Sequence, residues 1–356
     1  MPRRAYIAGW GKYVPDNVVT NADLSRTLDT SDEWIRSRTG IAERRVAPED
    51  ETTASMALLA SRAALQSAGI GAQELDFILV ATCTPDHPFP ATANLVQAGL
   101  CAGHAGACDL NAVCSGFVYA LALAESCIRA GLHRNVLVVG ADTFSRVVDW
   151  NDRATCVLFG DGAGAVVLRA TERDYGVLSS TTGSDGTGAD LLMVPAGGSR
   201  LPASAATIQD RLHAIRMDGR EVFRFAVGVL PRITEQVVKE AGWTLDQLDL
   251  FIAHQANVRI IRSAARSLNL PDEKVYVNVH RYGNTSAASI PIALCEAYEE
   301  GRLHDGSAVV LAGFGSGLSW AACALRWGPV AVSPSANGVV MTQAIALEPA
   351  ASMHGG

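Results

Sequence analysis

The sequence has no Cys-x-x-Cys pair, although its 356 residues include eight cysteines. They are scattered singly along the chain, at positions 83, 101, 108, 114, 127, 156, 295 and 323. In a chain of this length such scatter does not indicate a disulfide framework, and cysteines within apolar runs behave as small hydrophobic side chains. Free thiols suit a reducing compartment, so we expect a cytoplasmic protein.

Charge is also scarce, and positive charge is not in excess. Charged residues make up 18% of the chain, and 29 lysines and arginines against 36 aspartates and glutamates give a formal net charge of −7. This balance argues against a general nucleic-acid-binding or anionic-membrane surface. Hydrophobic residues make up 49% of the chain, which is ordinary for a soluble enzyme with a large core.

Long apolar runs that would indicate export or membrane insertion are missing. No adequate apolar stretch precedes Lys12, so we expect no signal peptide. Residues 308–325 carry no charge over a length that resembles a membrane span, but the sequence GFGSG at 313–317 interrupts them. Two short buried strands joined by a turn are the better interpretation, and we expect no membrane association.

What the sequence does contain is an internal repeat. Strand and helix signals alternate along the chain, which predicts an α/β protein with βαβ units and a mostly parallel sheet. Residues 63–82 and 236–255 share one design: a helix that ends in Ala-Gly, then Leu-Asp, then an apolar strand.

A second pair of matching segments covers residues 114–140 and 284–313. Cys114 and Asn284 each lie 17 residues before a glycine (131 − 114 and 301 − 284). The spacing predicts that both residues occupy equivalent positions, each at the start of a helix, and that a pseudo-twofold axis brings them together. We predict two similar halves, 1–172 and 173–328, followed by a tail, 329–356, to which no function is assigned.

Three residues are candidates for chemistry, and each has a simpler interpretation. Cys114 precedes a strongly helical run, whose dipole favours a thiolate nucleophile, but cysteine is also commonly buried in such turns. His254 follows an apolar strand, where α/β sheets place ligand sites, whereas a lone histidine is more often structural. Its counterpart in the repeat is Ala81, which favours function. Asn284 suits a helix N-cap, or a hydrogen-bond donor into a shared site.

Other motifs are weaker. The turn GFGSGLSW (313–320) follows a strand and suits backbone donors to an oxyanion, although close packing between strands equally favours glycine. FGDGAGAVVL (159–168) runs into a strand rather than a helix, so it fails as a dinucleotide-binding motif. Cys101, His104 and Cys108 lack a fourth ligand at suitable spacing, and we expect no metal site.

Taken together, AVCSGF, HQAN and GNTSAAS resemble the three active-site motifs of the β-ketoacyl-acyl-carrier-protein synthase III family, the initiating condensing enzymes of type II fatty-acid synthesis. The resemblance covers nearly all of residues 1–328 and extends to SDEWIRSRTGI (31–41), HPFP (87–90) and DRATCVLFGDGAGAVVL (152–168). It implies the thiolase fold, with duplicated βαβαβ halves in a five-layered α-β-α-β-α arrangement, and typically a homodimer.

The resemblance also implies residue roles. Cys114 would take the acyl group from a coenzyme A thioester, and His254 and Asn284 would bind the thioester carbonyl of malonyl-acyl carrier protein and stabilise the enolate left by CO2. The backbone N–H groups of Cys114 and Ser316 would form the oxyanion hole, although relatives commonly have glycine at the latter position. Coenzyme A is a substrate here, and no further cofactor is implied.

The remaining implied roles concern binding. Phe89 would reach across the dimer to line the partner's acyl pocket, and Trp34 with Arg153 would sandwich the adenine of coenzyme A. Arg38 and Thr39 would hold the nucleotide end, and Asn257 the pantetheine arm.

A basic helix face supports a carrier-protein site independently of the resemblance. Arg259, Arg262 and Arg266 are spaced i, i+3, i+7, so they share one face of a helix, and Arg224 matches another basic position of the family. This face suits an acidic carrier protein. The alternative is a solvated helix face with no partner.

Two alternative functions stay open. A relative from polyketide or other specialised metabolism would condense or transfer a different acyl group on the same fold. A cysteine hydrolase also uses Cys, His and Asn, but its histidine acts as a base. Decarboxylation needs two donors and no base, so the complete set of Cys114, His254 and Asn284 favours carbon–carbon bond formation. Primer length and branching are not defined by the sequence.

Overall fold

The computed structural model describes residues 3–329. Within them the chain forms thirteen strands: β1 Arg4–Tyr13, β2 Val18–Thr20, β3 Glu43–Arg45, β4 Phe77–Ala81, β5 Gly106–Leu110, β6 Asn135–Thr143, β7 Asp161–Thr171, β8 Gly176–Ser184, β9 Leu192–Met193, β10 Arg216–Met217, β11 Leu250–Ala253, β12 Ala308–Gly315 and β13 Ser319–Arg326. The predicted tail lies, beyond Pro329, outside the described residues.

The same part of the chain forms ten α-helices: α1 Asn21–Leu24, α2 Asp32–Thr39, α3 Thr53–Ala68, α4 Thr92–Leu100, α5 Gly116–Arg129, α6 Ala205–Gln209, α7 Gly219–Glu240, α8 Val258–Ser267, α9 Val279–Tyr282 and α10 Ser289–Glu299. Local sequence explains their ends. For example, the Thr52 side chain accepts from the Ser55 N–H at the start of α3, and Gly69 closes that helix with a φ of 64°. None of the helices in residues 3–329 is long and apolar enough to cross a membrane.

Two sheets form the centre of the molecule. The first has the order β1-β7-β6-β4-β5, and the second has the order β8-β13-β12-β11. A parallel bridge between Phe251 and Val275 extends the second sheet beside β11, where β5 extends the first sheet beside β4. The uncharged stretch 308–325 forms the antiparallel pair β12 and β13, as predicted.

Helices cover both sheets and fill the space between them. Helices α5 and α10 contact both sheets from the inside, α3 and α4 pack outside the first sheet, and α7 and α8 pack outside the second. The resulting order of layers is α-β-α-β-α. The predicted α/β class and duplicated five-layered fold are therefore confirmed.

The predicted strand directions are partly wrong. Strands β4, β5 and β6 run parallel, as do β11 and β12, but β7 pairs antiparallel with β6, and β13 pairs antiparallel with β12. No α-helix lies between β6 and β7 or between β12 and β13, so each following strand returns beside its predecessor in the opposite direction. The sheets are mixed rather than mostly parallel.

The two halves correspond with an offset of 173 residues. Asp76 and Asp249 precede equivalent strands, and their N–H groups donate to the carbonyls of Asn135 and Ala308, both at 2.9 Å (249 − 76 and 308 − 135). Strand β7 ends at Thr171 and β8 begins at Gly176, on either side of the predicted boundary.

Two short 3₁₀ turns precede the inner helices and obey the same offset. Val113–Ser115, here the Cys114 turn, leads into α5, and Ser286–Ala288, here the Ser286 turn, leads into α10. Their first residues both have positive φ angles, 46° for Val113 and 50° for Ser286. The turns contact each other at the centre of the molecule.

The offset corrects the predicted equivalence of Cys114 and Asn284. The counterpart of Cys114 is Ala287, and that of Asn284 is Asn111 (287 − 114 and 284 − 111). Helix α5 has 14 residues and α10 has 11. Counting the same number of residues back from Gly131 and from Gly301 therefore reaches positions that differ by three residues in the repeat. His254 does correspond to Ala81 (254 − 81).

Candidate active site

Cys114 is nearly inaccessible to solvent, with 4% of its surface exposed. The end of β12 packs directly on it, because a Cβ atom on Gly315 would lie 2.8 Å from the Cys114 nitrogen. Burial raises the pKa of the Cys114 thiol to about 12, while the neighbouring Ser286 and Asn284 side chains act in the opposite direction. Desolvation therefore opposes the thiolate that the start of α5 was predicted to favour.

His254 is held as a neutral imidazole. The ring is 1% exposed and packs edge-to-face on Phe314, with 5.3 Å between ring centroids. Burial lowers the pKa of His254 to about 3. Its Nδ1 lies 2.6 Å from the Ser289 hydroxyl, which also accepts from the Gln255 N–H at 3.3 Å. The hydroxyl hydrogen is free to donate to Nδ1, and in that arrangement the ring proton is on Nε2, which then acts as a donor.

Asn284 is fixed through both its backbone and its side chain. Its N–H donates to the Leu158 carbonyl at 2.8 Å, and its carbonyl accepts from the Gly160 N–H at 3.0 Å. The side-chain Oδ1 accepts from the Ser286 N–H at 2.8 Å, which leaves Nδ2 as the free donor. This bond to the N–H two residues on is an Asx turn rather than the helix N-cap of the simpler interpretation, because the N-cap residues of the Ser286 turn and of α10 are Thr285 and Ala288. It aims the amide and does not exclude a second role.

The three side chains line one cavity of about 90 Å³. Much of the remaining wall is apolar, built from Leu158, Phe159, Leu192, Met217, Val222, Phe223, Ile260 and Phe314. An apolar wall excludes water and strengthens hydrogen bonds to charge that develops inside. The arrangement places a buried thiol beside two neutral N–H donors, which suits stabilisation of an oxyanion or enolate.

The glycine turn ends next to Cys114, as predicted. Gly315 touches the Cys114 backbone, and Ser316 follows it. The Ser316 carbonyl accepts from the Ser319 hydroxyl at 2.8 Å, and the Ser316 hydroxyl donates to the Leu192 carbonyl. Within residues 3–329 neither the Cys114 N–H nor the Ser316 N–H donates to another residue's backbone oxygen, so both stay available.

The residues assigned to the adenine lie together. The guanidinium of Arg153 lies 4.9 Å from the centroid of the Trp34 ring, and that of Arg38 lies 4.5 Å from it. A flat base between two stacking partners needs about 7 Å, twice the contact distance of carbon atoms. Arg153, which donates to the Asp29 carbonyl at 2.5 Å, must therefore move to admit adenine.

Two other residues assigned to coenzyme A behave differently from each other. Asn257 lines the cavity, and its Nδ2 donates to the Arg38 carbonyl at 3.0 Å, so the pantetheine and nucleotide ends of the predicted site are joined. The Thr39 hydroxyl donates to the Ile35 carbonyl at 2.6 Å and accepts from the Ile41 N–H at 3.0 Å. Thr39 is buried at the end of α2. Its side chain is therefore not placed to hold the nucleotide end of coenzyme A, which was its predicted role.

Phe89 does not line the cavity of its own chain. It is 86% exposed, which is unusual for so large an apolar side chain.

The four arginines assigned to the carrier protein are all exposed on α7 and α8, which pack on each other. Arg259 lies 5.5 Å from the centroid of the Phe223 ring, which itself lines the cavity. Arg224 forms an ion pair with Glu221. Arg262 and Arg266 follow on α8, so the basic face begins at the mouth of the cavity.

Comparison with known proteins places this geometry in a family. Residues 108–186 match the family described as 3-oxoacyl-[acyl-carrier-protein] synthase III, and residues 238–327 match its C-terminal part. The β-ketoacyl-[acyl-carrier-protein] synthase III of Symbiobacterium thermophilum is 54% identical over 322 residues, which cover 90% of this chain and 98% of that protein. That of Caldanaerobacter subterraneus is 50% identical over 323 residues, covering 91% and 98%. The chain belongs to the 3-oxoacyl-[acyl-carrier-protein] synthase III family.

Solved structures agree with this assignment. The 3-oxoacyl-[acyl-carrier-protein] synthase III of Aquifex aeolicus superposes with a TM-score of 0.84 at 48% identity, covering 91% of this chain and 100% of that one. The priming β-ketosynthase from the R1128 polyketide biosynthetic pathway gives a TM-score of 0.85 at 36% identity, covering 92% and 98%. Members of this synthase III family are thiolase-fold acyltransferases, and this chain is one of them.

Four residues near the three candidates were not predicted: Asp142, Ser286, Ser289 and Phe314. The two serines lie within the quoted motif GNTSAAS, but nothing in the sequence shows which hydroxyl faces the thiol and which faces the imidazole. Asp142 lies 28 residues from Cys114 (142 − 114) in an unremarkable Gly-Ala-Asp, and only the sheet order brings it close. In the described part of the chain, no cluster of three His, Cys, Asp or Glu side chains could hold a metal.

Proposed function

We propose that this protein transfers an acyl group from an acyl-coenzyme A primer to Cys114 and condenses it with malonyl-acyl carrier protein. The products are a 3-oxoacyl-acyl carrier protein and CO2, and the reaction initiates fatty-acid synthesis. The observation that carries the proposal is the convergence of Cys114, His254 and Asn284 in one apolar cavity of a synthase III family member.

Acyl transfer is the first half of the reaction. The Cys114 sulfur attacks the primer's thioester carbonyl, coenzyme A leaves as a thiol, and a thioester forms on Cys114. The N–H groups of Cys114 and Ser316 are proposed to hold the oxyanion of the tetrahedral intermediate, because both stay free of backbone oxygens within residues 3–329.

Decarboxylation is the second half. The Nε2–H of His254 and the Nδ2–H of Asn284 are proposed to bind the thioester carbonyl of the malonyl group, whose oxygen gains charge as CO2 leaves. The enolate carbon then attacks the acyl group on Cys114. A neutral histidine suits this role because the step removes no proton, and burial keeps His254 neutral.

The binding surfaces fit the same substrates. Trp34, Arg38 and Arg153 are proposed to hold the adenine end of coenzyme A and Asn257 its pantetheine arm, with Thr39 contributing through its backbone alone. Arg224, Arg259, Arg262 and Arg266 are proposed to receive the acidic carrier protein, since their face begins where Arg259 stacks on Phe223. No cofactor beyond the coenzyme A thioester is needed, and the cytoplasm is the proposed location.

A homodimer is proposed from two exposed features. Strand β5 ends the first sheet with an open edge, and Phe89 presents an apolar ring to solvent. Pairing of two β5 edges would bury that edge, and Phe89 would line the acyl pocket of the partner. Sedimentation equilibrium tests this: a dimer of about twice the chain mass supports the proposal, and a monomer contradicts it.

The second candidate is a synthase III of specialised metabolism. The polyketide-priming relative has the same fold at 36% identity, so primer choice can change while the fold is retained. The hydrolase alternative is disfavoured. The Cys114 thiol has Ser286 and Asn284 as polar neighbours, and Nδ1 of His254 is occupied by Ser289, so no Cys-His-Asn chain with histidine as base is formed.

Intact-mass spectrometry tests the proposal. The protein is mixed with a panel of straight, branched and aromatic acyl-coenzyme A thioesters, then with malonyl-acyl carrier protein, and Cys114→Ala serves as the control. We expect one acyl group on the wild type, none on the variant, and a 3-oxoacyl-acyl carrier protein as product. Preference for an aromatic or long primer would favour the specialised candidate. Failure of every thioester to label Cys114 would contradict both.

A further inference from the structure

The Ser286 hydroxyl is buried at the active cysteine without a partner of its own. The residue is fully inaccessible to solvent, and within residues 3–329 no group forms a hydrogen bond of good geometry with its Oγ. The hydroxyl nevertheless lies beside the thiols of Cys114 and Cys83 and beside the Asp142 carboxylate. A buried hydroxyl whose hydrogen bonds lack good geometry costs free energy, so its presence beside these three groups favours a function.

The Asp142 carboxylate is equally unusual, because it is fully buried and forms no ion pair with a cationic side chain in residues 3–329. Its Oδ1 accepts from the Thr82 hydroxyl at 3.0 Å, the Cys83 N–H at 2.8 Å, and the N–H and hydroxyl of Thr84 at 3.1 and 2.9 Å. Within residues 3–329, the one hydrogen bond of good geometry to its Oδ2 comes from the Ala287 N–H, at 3.2 Å. Oδ2 therefore keeps a free lone pair on the side of the Ser286 turn.

The equivalent positions in the other half of the repeat carry neither polar group. The offset of 173 residues pairs Ser286 with Val113 (286 − 113) and Asp142 with Gly315 (315 − 142). Val113 makes the same positive-φ turn without a hydroxyl, and Gly315 occupies the same strand end without a carboxylate. As with His254 and Ala81, the polar residue is present in one half only. Ser286 and Asp142 both lie near Cys114.

Acyl transfer needs an acceptor for the proton of the Cys114 thiol, and Ser286 with Asp142 can provide one. Burial favours the protonated thiol, and His254 has its Nδ1 bound to Ser289. Burial also raises the pKa of Asp142, which makes this carboxylate a better proton acceptor than one in water. The titratable groups that face it are Cys83, on the segment after β4, and Cys114; no lysine, arginine or histidine of the described chain bonds to it.

We propose that Ser286 relays the proton of the Cys114 thiol to Oδ2 of Asp142 during acyl transfer. As the sulfur bonds to the thioester carbon, its proton passes to Oγ of Ser286, and the hydroxyl proton passes to Asp142. When the carbon–sulfur bond to coenzyme A breaks, the proton returns through Ser286 to the departing sulfur. The cluster carries one negative charge throughout, and it starts and ends with an ionised Asp142. The inference rests on the proposed function.

The test is Ser286→Ala, which keeps the Cβ and so the strain of the positive φ. Acylation of Cys114 by acetyl-coenzyme A is followed by quenched-flow intact mass from pH 6 to 9.5. The control is Ser61→Ala, which removes another buried hydroxyl, one that donates to the Ala57 carbonyl on α3. Thermal melting of all three proteins is measured alongside.

We expect Ser286→Ala to acylate about 100-fold more slowly than the wild type at pH 7, the scale of a lost proton-transfer group. Its deficit shrinks as pH rises, since solvent base then removes the thiol proton, and CO2 release from malonyl-acyl carrier protein is retained. Ser61→Ala acylates normally. Acylation within threefold of the wild type at pH 7, or a deficit equal at every pH, overturns the relay. Failure of the wild type itself to acylate contradicts the proposed function instead.

Discussion

Burial sets the protonation states of Cys114 and His254, the two titratable side chains that line the cavity. It raises the pKa of the Cys114 thiol to about 12 and lowers that of His254 to about 3. Each group is consequently neutral at physiological pH, the thiol by keeping its proton and the imidazole by losing one. A thiolate–imidazolium pair would need both shifts in the opposite direction, so the site differs at this level from that of a cysteine hydrolase.

The neutral imidazole predicts a flat pH dependence for decarboxylation. In Cys114→Ala, which removes the thiol's own titration, CO2 release from malonyl-acyl carrier protein should vary less than about twofold between pH 5.5 and 8. A folded-state pKa near 3 leaves His254 uncharged over this whole range. A rate that halves near pH 6.5 would show an ordinary histidine and contradict the assigned role.

The lowered pKa of His254 also predicts how stability depends on pH. The unfolded histidine takes up a proton as pH falls through about 6.5, its ordinary pKa, whereas the folded one does not until about 3. This contribution to stability is therefore complete above pH 6.5 and is lost as pH falls toward 3. The Tm should fall less steeply between pH 6.5 and 4.5 in His254→Gln than in the wild type; equal slopes would contradict the buried neutral state.

At the level of elements, the end of β12 and the Cys114 turn pack so closely that only glycine fits between them. In Gly315→Ala the new Cβ would lie 2.8 Å from the Cys114 nitrogen and 3.2 Å from its Cβ. The backbone must shift, and a shift of about 1 Å at a reacting group costs roughly 100-fold in rate. We expect that loss in acylation, measured by intact mass.

The matched control is Gly228→Ala on α7, where a Cβ would meet nothing within 4 Å. Alanine in a helix interior should raise the free energy of unfolding by about 0.5–1 kcal/mol and leave acylation unchanged. Normal acylation by Gly315→Ala would contradict the close approach of β12 to the Cys114 turn.

The sequence predicts elements and strand ends better than it predicts directions and contacts. Apolar periodicity and turn residues located the repeat, and His254 was correctly paired with Ala81, because both follow equivalent strands. The pairing of Cys114 with Asn284 was wrong, because a difference in helix length is offset by a difference in loop length. Helix α5 is three residues longer than α10, and the loop between α5 and β6 is three residues shorter than the loop between α10 and β12. Counting from one glycine does not detect that exchange.

Side-chain environments were the hardest part to predict. The sequence identified Cys114, His254 and Asn284 from their motifs, but Asp142 is recruited by sheet pairing and Ser286 by the contact between two turns. Thr39 shows the opposite error, because its hydroxyl is consumed by the carbonyl of Ile35 and the N–H of Ile41. Whether a polar side chain is free or already paired depends on local geometry that residue identity does not specify.

For the whole molecule, the distribution of charge matters more than its sum. The chain carries a net charge of −7, yet α7 and α8 present four exposed arginines on a face that begins beside the cavity at Arg259. Arginines outside the cavity attract an acidic partner and increase its affinity, but they do not contact the reacting groups.

Charge reversal on this face should separate the two substrates. In Arg262→Glu/Arg266→Glu we expect the KM for malonyl-acyl carrier protein to rise at least tenfold, with less dependence on salt, and acylation by acetyl-coenzyme A to stay within twofold. Arg173→Glu is the control. This exposed residue follows β7, whose end lies beside the start of β6 and so at the opposite end of the strands from Cys114. An unchanged KM would identify a solvated helix face with no partner.

The central claim is a division of labour in one cavity, with Cys114 carrying the acyl group and His254 and Asn284 driving decarboxylation. Asn284→Ala tests it in a single experiment that measures Cys114 acylation by intact mass and CO2 release from malonyl-acyl carrier protein in the same sample. The account predicts acylation within about fivefold of the wild type and CO2 release at least 100-fold slower, the scale of one lost oxyanion donor. Equal loss of both steps would contradict it.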